Sequence, residues 1–176
     1  MNNREFDLQP KLAGARLALR PLLESDFDAL YAAASDPLIW EQHPEPTRYQ
    51  REVFAKNFFA GAISSGSAFV VSDRSSGSVV GSSRYYDWDP VACEVAVGYT
   101  FLARSHWGGL YNGELKRLML DHAFRWAKVV WLHIGLENWR SRKAAEKIGA
   151  RHSHDGIKVL SGIEHHYAFY RLDAPK

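Results

Sequence analysis

The order of hydrophobic and polar residues predicts short strands first and alternating strands and helices later. Alternation over residues 16–20 predicts a first strand with one polar and one apolar face. Apolar residues at helical spacing then predict a helix over residues 25–34, which Pro37 ends, and a second helix that begins at Thr47. The other predicted elements are strands 68–73, 78–87 and 92–102, helix 112–128, strand 129–136, helix 141–148, and strands 150–154 and 165–172.

This succession predicts one mixed sheet with helices packed on it. Strands that first meander and later alternate with helices are typical of an α+β, or mixed α/β, domain. The 176 residues suit a single domain with one sizeable core, so we assign residues 1–176 to one domain. We expect six to seven strands, mostly antiparallel, and about four helices.

The composition indicates which binding partners and which cellular compartment to expect. The net charge of +2 is too balanced to make nucleic acid the expected partner, although a mildly basic surface suits a polyanionic cofactor. The single cysteine, Cys93, excludes an intramolecular disulfide and fits a reducing compartment. The sequence contains neither a leader-like segment at its start nor an apolar run long enough to span a bilayer. We therefore predict a cytoplasmic protein with no membrane partner.

The stretch SHWGGLYNGELKRLML, residues 105–120, places a glycine-rich turn between a predicted strand and an amphipathic helix. The start of a helix offers unpaired backbone N–H groups and a positive dipole end, which together bind anions. Gly108 and Gly109 lack the Cβ atoms that would hinder the approach of a diphosphate. A Gly-Gly turn before a helix is also common as a plain connection, so this feature alone leaves both interpretations open.

Two phosphate-binding motifs do not fit this turn. Gly108 and Gly113 have the spacing of a nucleoside-triphosphate loop, but Glu114 and Leu115 stand where Lys and Ser or Thr are required. A dinucleotide-binding motif needs G-x-G-x-x-G near the start of a βαβ unit, and the sequence lacks that spacing. Coenzyme A is the third cofactor class that such a turn can hold.

The turn resembles the pyrophosphate loop of the GNAT superfamily of acyl-CoA-dependent N-acyltransferases. Many members of its ribosomal-protein N-terminal (alanine/serine) acetyltransferase branch carry a run like W-G-x-G-Y-A-T-E-A. Trp107, Gly108, Tyr111 and Glu114 match that run, whereas Leu110 replaces its second glycine.

The resemblance extends over nearly the whole chain in the order of the family. The stretch at residues 17–40 is similar to the opening strand and first helix of the branch, and residues 97–109 are similar to its fourth strand entering the loop. ENWRSRKAAEKIGA, residues 137–150, is similar to the N-x-x-S…E-K-x-G-[AF] segment. The resemblance implies a GNAT-like sheet that splays between its fourth and fifth strands, with acetyl-CoA as co-substrate and no metal.

The resemblance also assigns the site residues. It implies that Asn138 contacts the pantetheine arm and that the Ser141 hydroxyl lies near the thioester sulfur, where it could act as the catalytic acid that protonates the departing thiolate. A helix cap would explain either residue. Many family members use a tyrosine as the acid that protonates the thiolate, and Ala145 stands at that position here. The residues expected to bind coenzyme A are Phe101, Leu102, Trp107, Gly108, Gly109, Leu110, Tyr111, Asn112, Asn138 and Ser141.

A base and an oxyanion site complete the expected chemistry. Glu94, on the strand that splays, is the candidate base, either directly or through water, and an ordinary surface carboxylate is the alternative. The resemblance implies that backbone N–H groups near residues 99–101 polarise the acetyl carbonyl. Cys93 adjoins this site, but a small buried hydrophobic role is favoured over a covalent acetyl-cysteine.

The acceptor is expected to be a primary amine, either a protein N-terminus or a small molecule. Segments expected to flank its cleft carry Trp40, Glu41, His43, Tyr85, Tyr86, Trp88, His165 and His166. The late histidines match no metal-ligand spacing. A non-catalytic acyl-CoA-binding or sensing module is the alternative function, and the oligomeric state stays open, with a homodimer as one option.

Overall fold

The computed structural model describes residues 5–175, which form one eight-stranded sheet with helices on both faces. The strands lie side by side in the order β1-β2-β3-β4-β5-β6-β8-β7. Their bounds are β1 Leu12–Ala13, β2 Leu17–Pro21, β3 Ala68–Asp73, β4 Val79–Asp89, β5 Glu94–Leu102, β6 Val129–Gly135, β7 Arg151–Leu160 and β8 Ile163–Asp173.

Five α-helices connect these strands, together with three short 3₁₀ turns. The helices are α1 Phe27–Ala34, α2 Arg51–Phe54, α3 Ala60–Ser64, α4 Leu110–Ala123 and α5 Trp139–Lys147. A π-helical stretch, Ala55–Phe59, joins α2 to α3, so the chain is helical without a break from residue 51 to residue 64. The 3₁₀ turns are Glu24–Asp26, Pro37–Ile39 and Arg104–His106.

The two faces of the sheet are buried under different helices. Along β3, Phe69 and Val71 belong to a core shared with α4 and α5, whereas Ala68 and Val70 belong to a second core shared with α1, α2 and α3. Side chains on a strand point alternately to opposite faces, so this division follows directly from the sequence pattern. The near-continuous apolar character of β3 is therefore that of a strand covered on both sides.

The sheet opens between β5 and β6, which are its one parallel pair. These strands pair only over Glu94–Ala96 with Val129–Trp131, and no register continues beyond Ala96. All the other neighbouring strands run antiparallel. The predicted mixed, mostly antiparallel sheet with a splay between the fourth and fifth predicted strands is confirmed.

The counts differ slightly from the expected six to seven strands and about four helices. The additional strand is the two-residue β1, which pairs with β2 and is too short to give a periodic pattern. The fifth helix arises because the π-helical stretch divides one predicted helix into α2 and α3. Residues 1–4 and 176, which belong to the predicted domain 1–176, lie outside the described residues.

Candidate active site

The gap between β5 and β6 exposes two strand edges inside the molecule. Beyond Ala96, β5 is paired with β4 alone and β6 with β8 alone, so their facing backbone groups have no ladder partner. A bulge in β5 lies beside the gap, since Gly98 and Phe101 pair with Arg84 and Ser82 of β4. Tyr99 in this bulge has φ of 50°, a left-handed conformation that non-glycine residues seldom adopt. The gap therefore offers backbone hydrogen-bonding groups to an extended ligand.

The glycine turn leads directly into α4. Gly108 and Gly109 have φ of 76° and 58°, values in the region that favours glycine. Gly109 is the N-cap residue, and no side chain caps the helix. The first N–H groups of this 14-residue helix therefore lack an intrahelical partner and face a cleft at the mouth of the gap. This arrangement can bind an anion by its backbone.

The cleft at the helix start, which we call the outer cleft, has a volume of about 560 Å³ and carries basic side chains. Arg140, Lys143 and Lys147 lie on one face of α5 at helical spacing, and His106 lies opposite them. The Arg140 guanidinium stacks 4.1 Å from the centre of the Trp107 ring and bonds to Glu41. The residues around the outer cleft are Ile39, Trp40, His43, Thr100, Phe101, Leu102, His106, Trp107, Gly108, Gly109, Asn112, Gly113, Asn138, Arg140, Ser141, Lys143, Ala144, Lys147 and Ile148.

A smaller cavity of about 150 Å³, the inner cavity, continues into the gap itself. Trp40, His43, Thr100, Asn112, Asn138, Ser141, Ala144 and Ile148 line both spaces, and the inner cavity adds Arg48, Val97, Gly98, Tyr99, Lys116, Leu132, His133, Ile134, Gly135, Ala145 and Tyr167. No aspartate or glutamate is among these described lining residues. The inner cavity therefore presents no carboxylate base to a bound amine.

The two histidines of the inner cavity are neutral. Burial, reinforced by the nearby Arg48 charge, lowers the pKa of His43 to about 3, and burial beside Lys158 lowers the pKa of His133 to about 3. The Nδ1 atom of His43 accepts the Glu45 backbone N–H at 2.9 Å, and that of His133 accepts Lys158 Nζ at 2.9 Å. The Nδ1 lone pair of each ring is thus already used, and the Nε2 atom of His43 lies 3.4 Å from the Arg48 guanidinium, so neither ring is placed for a proton-abstracting role.

Lys116 is the unexpected member of the inner cavity. Lys116 is 8% exposed, and its Nζ donates to Thr100 Oγ1 at 2.8 Å. No carboxylate in the described part of the chain forms an ion pair with it. Burial lowers the pKa of this ammonium from 10.5 to about 8.

The two α5 residues predicted to contact the cofactor play different structural roles. Asn138 caps α5, because its Oδ1 accepts the Ser141 N–H at 3.2 Å. Ser141 lies in the first turn and does not cap the helix, and both residues line the outer cleft and the inner cavity. Capping thus accounts for the Asn138 oxygen and leaves the Ser141 hydroxyl available at the cavity wall.

The structure brings most of the predicted cofactor residues together. Phe101, Leu102, Trp107, Gly108, Gly109, Asn112, Asn138 and Ser141 all line the outer cleft. Leu110 and Tyr111 are not among the lining residues: Leu110 is exposed, and the Tyr111 ring packs 4.6 Å from that of His106. Their part in binding would have to come from the backbone at the helix start.

Glu94 lies away from both spaces, at the closed end of the gap. Its Oε2 accepts the Trp131 indole N–H at 2.7 Å, and the residue lines neither the outer cleft nor the inner cavity. This geometry is that of a partly buried structural carboxylate, and it gives no support to Glu94 as the base. Cys93, expected to be buried at the start of β5, instead precedes the strand at φ of 57° and is partly exposed.

Of the aromatic residues expected around the acceptor, only some face the site. Trp40 and His43 line both spaces, whereas Tyr85 is fully buried under α4 and donates to the Met119 carbonyl at 2.6 Å. Tyr86 packs 5.2 Å from the ring of Tyr99, behind the bulge. Fewer aromatic residues thus line the candidate acceptor site than the sequence predicts.

Sequence reasoning missed Lys116, Thr100 and Arg48. Lys116 follows Asn112 by four residues and therefore shares its helix face, which was the available signal. Arg48 is almost fully buried and pairs with Glu45, and a charged residue between predicted helices gave no sign of that burial.

A sheet split between two strands, with a glycine turn and an uncapped helix start at its mouth, is the arrangement that the resemblance to the GNAT superfamily implied. The comparison with protein families agrees, because the acetyltransferase (GNAT) domain matches residues 16–151. The chain therefore belongs to the GNAT acetyltransferase family. A comparison with curated proteins finds no match.

Solved structures share this fold at low sequence identity. A GCN5-related N-acetyltransferase from Brucella melitensis is 23% identical with a TM-score of 0.78, covering 94% of this chain and 79% of that one. Spermidine N-acetyltransferase from Vibrio cholerae, in complex with CoA and spermine, is 16% identical with a TM-score of 0.68, covering 92% and 97%. Mycobacterium smegmatis RimJ, in complex with CoA-disulfide, is 18% identical with a TM-score of 0.68, covering 94% and 87%.

Within residues 5–175, no helix combines the length and the apolar composition that a membrane crossing requires. In the same part of the chain, no three or more histidine, cysteine, aspartate or glutamate side chains are grouped so as to hold a metal ion.

Proposed function

We propose that the protein is an N-acetyltransferase that moves the acetyl group of acetyl-CoA to a primary amine by direct attack. The observation that carries this proposal is the continuity of the outer cleft with the inner cavity. Phosphate-binding groups at the start of α4 and on α5 lie at one end, and the unpaired edges of β5 and β6 lie at the other. An extended thioester bound between them has its acyl end at the β5 bulge.

The residues at each position suit the parts of the cofactor. Unpaired N–H groups at Gly109 and in the first turn of α4 suit the diphosphate, and Lys143 and Lys147 suit a further phosphate. The strand edges suit the amides of the pantetheine arm, because backbone groups without a ladder partner accept an added strand-like ligand. Asn138 stands at the junction of the two spaces, where its amide side chain can contact the same arm.

The lining also indicates the kind of amine that is accepted. No aspartate or glutamate of the described residues lines the inner cavity, and both histidines are poor bases, because their pKa values are lowered to about 3 and their Nδ1 atoms already accept hydrogen bonds. Deprotonation must therefore rely on water and on the amine itself. An α-amine has a pKa near 8 and is partly neutral at pH 7, whereas a lysine-like amine has a pKa near 10.4. We therefore propose the α-amine of a peptide or small molecule as the acceptor in preference to a polyamine. Free Cys93 fits the predicted cytoplasmic location.

The test is release of the coenzyme thiol from acetyl-CoA in the presence of an amine panel. The panel pairs peptides with free N-termini against the same peptides with blocked N-termini, and adds spermidine. We expect turnover with free α-amines, with little or none for the blocked peptides and less for spermidine. Turnover by spermidine above all α-amines would contradict the acceptor assignment.

One second candidate, a non-catalytic acyl-CoA-binding or sensing module, is favoured by two features: no carboxylate of the described residues lines the inner cavity, and Ala145 stands at the α5 position where many family members have a tyrosine. Calorimetric titration with acetyl-CoA distinguishes the two functions. Binding without turnover on any amine indicates the sensing module, and the absence of binding contradicts both.

A further inference from the structure

Lys116 is a buried cation without a counter-charge. It is 8% exposed and has one hydrogen-bond acceptor in the described residues, Thr100 Oγ1, although an ammonium group can donate three bonds. Burying a charge without a partner is costly, so a core-facing lysine of this kind calls for a function. Lys116 is one of the residues that line the inner cavity.

In the binding mode proposed above, Lys116 lies near the acyl end of the cofactor. It lies one turn after Asn112 on α4, and Ser141 and Ala145 of α5 line the same cavity. Its acceptor Thr100 belongs to the β5 bulge, where the strand edge turns away from β6. A thioester threaded through the gap thus places its sulfur among α4, α5 and the bulge.

We propose that Lys116 is the general acid that protonates the coenzyme A thiolate when the carbon–sulfur bond breaks. This role rests on the proposed acetyl transfer. The amine attacks the carbonyl carbon, a C–N bond forms, and the carbonyl electron pair moves to oxygen. Collapse of this intermediate breaks the C–S bond, sulfur takes a proton from the Lys116 ammonium, and the nitrogen of the new amide loses its proton to water. Water then returns a proton to Lys116.

The histidine, tyrosine and arginine side chains named next, which also line the cavity, are less suited to this step. His43 and His133 are neutral, and burial raises the pKa of Tyr167 to about 12. Arg48 is committed to Glu45. The pKa of Lys116, about 8, leaves it mostly protonated at pH 7 and close to the value of about 8.5 for a thiol, which favours proton transfer.

The groups that face Lys116 across the cavity determine its pH dependence. They are His43 and Arg48 from the segment before α2, Tyr99 from β5, His133 from β6 and Tyr167 from β8, and the α5 side chains in the lining carry no charge. Both histidines stay neutral above about pH 4, and Tyr167 stays protonated up to about pH 12. Among the lysine and histidine side chains of the lining, Lys116 is therefore the one that loses a proton near pH 8.

The experiment compares Lys116→Met with Arg117→Met, an exposed neighbour on the same helix that pairs with Asp121. We expect Lys116→Met to lower kcat about 10²-fold, the low end for general acid catalysis because a thiolate is a tolerable leaving group. The dissociation constant of coenzyme A should stay within about threefold of wild type, and Arg117→Met should behave as wild type. The kcat profile of the wild type should fall above about pH 8, and this fall should be absent from Lys116→Met.

The outcomes separate the two proposals. If Lys116→Met keeps the turnover and the pH profile of the wild type, the acid role is overturned and the proposed acetyl transfer stands. A variant that loses coenzyme A binding together with activity shows a structural role and likewise overturns the proposal. Mass spectrometry after a single turnover adds a further check, because an acetylated Lys116 would make the residue a nucleophile. Wild-type protein that binds acetyl-CoA without turnover contradicts the proposed function itself.

Discussion

Replacing Lys116 by methionine is expected to make the ligand-free protein more stable at neutral pH. Methionine has a similar length and shape, so the helix packing should change little. What disappears is the cost of holding an ammonium ion in a site that is 8% exposed and lacks a counter-charge. The pKa of Lys116 measures that cost, because the same burial that disfavours the charged form lowers the pKa.

The magnitude follows from the two pKa values. The difference between 10.5 unfolded and about 8 folded, at about 1.4 kcal/mol per pKa unit, amounts to about 3 kcal/mol. Loss of the bond to Thr100 offsets about 1 kcal/mol of this gain. At pH 7 the variant should therefore exceed the wild type by about 2 kcal/mol in free energy of unfolding.

The pH determines which of the two proteins has the larger free energy of unfolding. Below about pH 8 both states of the wild type hold the proton, and the full penalty is present. Between about pH 8 and 10.5 the unfolded state binds more protons than the folded state, so wild-type stability rises with pH relative to the variant. Near pH 10.5 the unfolded state still holds about half a proton, so the variant, which lacks the Thr100 bond, should be the less stable protein by less than about 1 kcal/mol.

The assay is urea unfolding of both proteins at pH 7 and near pH 10, without ligand. Arg117→Met is the matched control and should stay within about 0.5 kcal/mol of wild type at both pH values, because its side chain is exposed. A variant that is less stable at pH 7, or a difference that does not change with pH, would refute the picture of a buried, unpaired ammonium.

Three further substitutions test other parts of the structure. Gly14→Ala should destabilise the protein by about 2 kcal/mol in urea unfolding, because the added Cβ would lie 2.2 Å from Glu114 Oε1, which binds two backbone N–H groups beside β2. Gly109→Ala, at φ of 58°, should weaken acetyl-CoA binding about tenfold by calorimetry, since alanine strains the turn; unchanged affinity would exclude this turn from the site. Lys143→Gln combined with Lys147→Gln should weaken binding about tenfold at low salt and less at high salt, and a salt-independent loss would contradict a phosphate-binding role.

Much of the sheet was predictable because its signals are local. The alternation over residues 16–20 and the apolar run at residues 68–73 correspond to β2 and β3 within a residue. The family resemblance, rather than periodicity, predicted the splay between β5 and β6, since a missing register between parallel strands leaves no local pattern.

The long hairpin β7–β8 was only partly predictable. The predicted strand ended at residue 154, directly before Asp155-Gly156, a pair of residues that is typical of a tight turn. In the structure Gly156 lies inside β7, where an added Cβ would be 2.9 Å from the Phe169 ring, so the glycine makes room for an aromatic neighbour. The actual turn is Ser161-Gly162, both with positive φ, as a two-residue hairpin turn requires.

In the candidate site, too, features with a local sequence signal were predictable, and features that depend on distant parts of the chain were not. The glycine turn and the Asn138 cap are local devices with sequence signals, and the structure brings both to one cleft. Glu94 was selected by its position on β5 and by the family resemblance. Neither signal reports Trp131, 37 residues further along the chain, whose indole N–H donates to the Glu94 carboxylate. The burial of Lys116 likewise depends on β5 and α5 closing around α4, which no pattern within the helix can report.

The neutral histidines and the buried lysine lead to one consistent proton balance. With no acidic side chain around the inner cavity, the proton from the amine goes to water, which suits an acceptor that is already partly neutral. The difficult charge is then the departing thiolate, and the cavity holds its cation on that side, at Lys116. An acceptor of high pKa would need the opposite arrangement, with a carboxylate facing the amine and less need for an acid at sulfur. The distribution of charge in this cavity therefore links the choice of acceptor to the choice of acid, and a pH profile of one α-amine substrate tests both together.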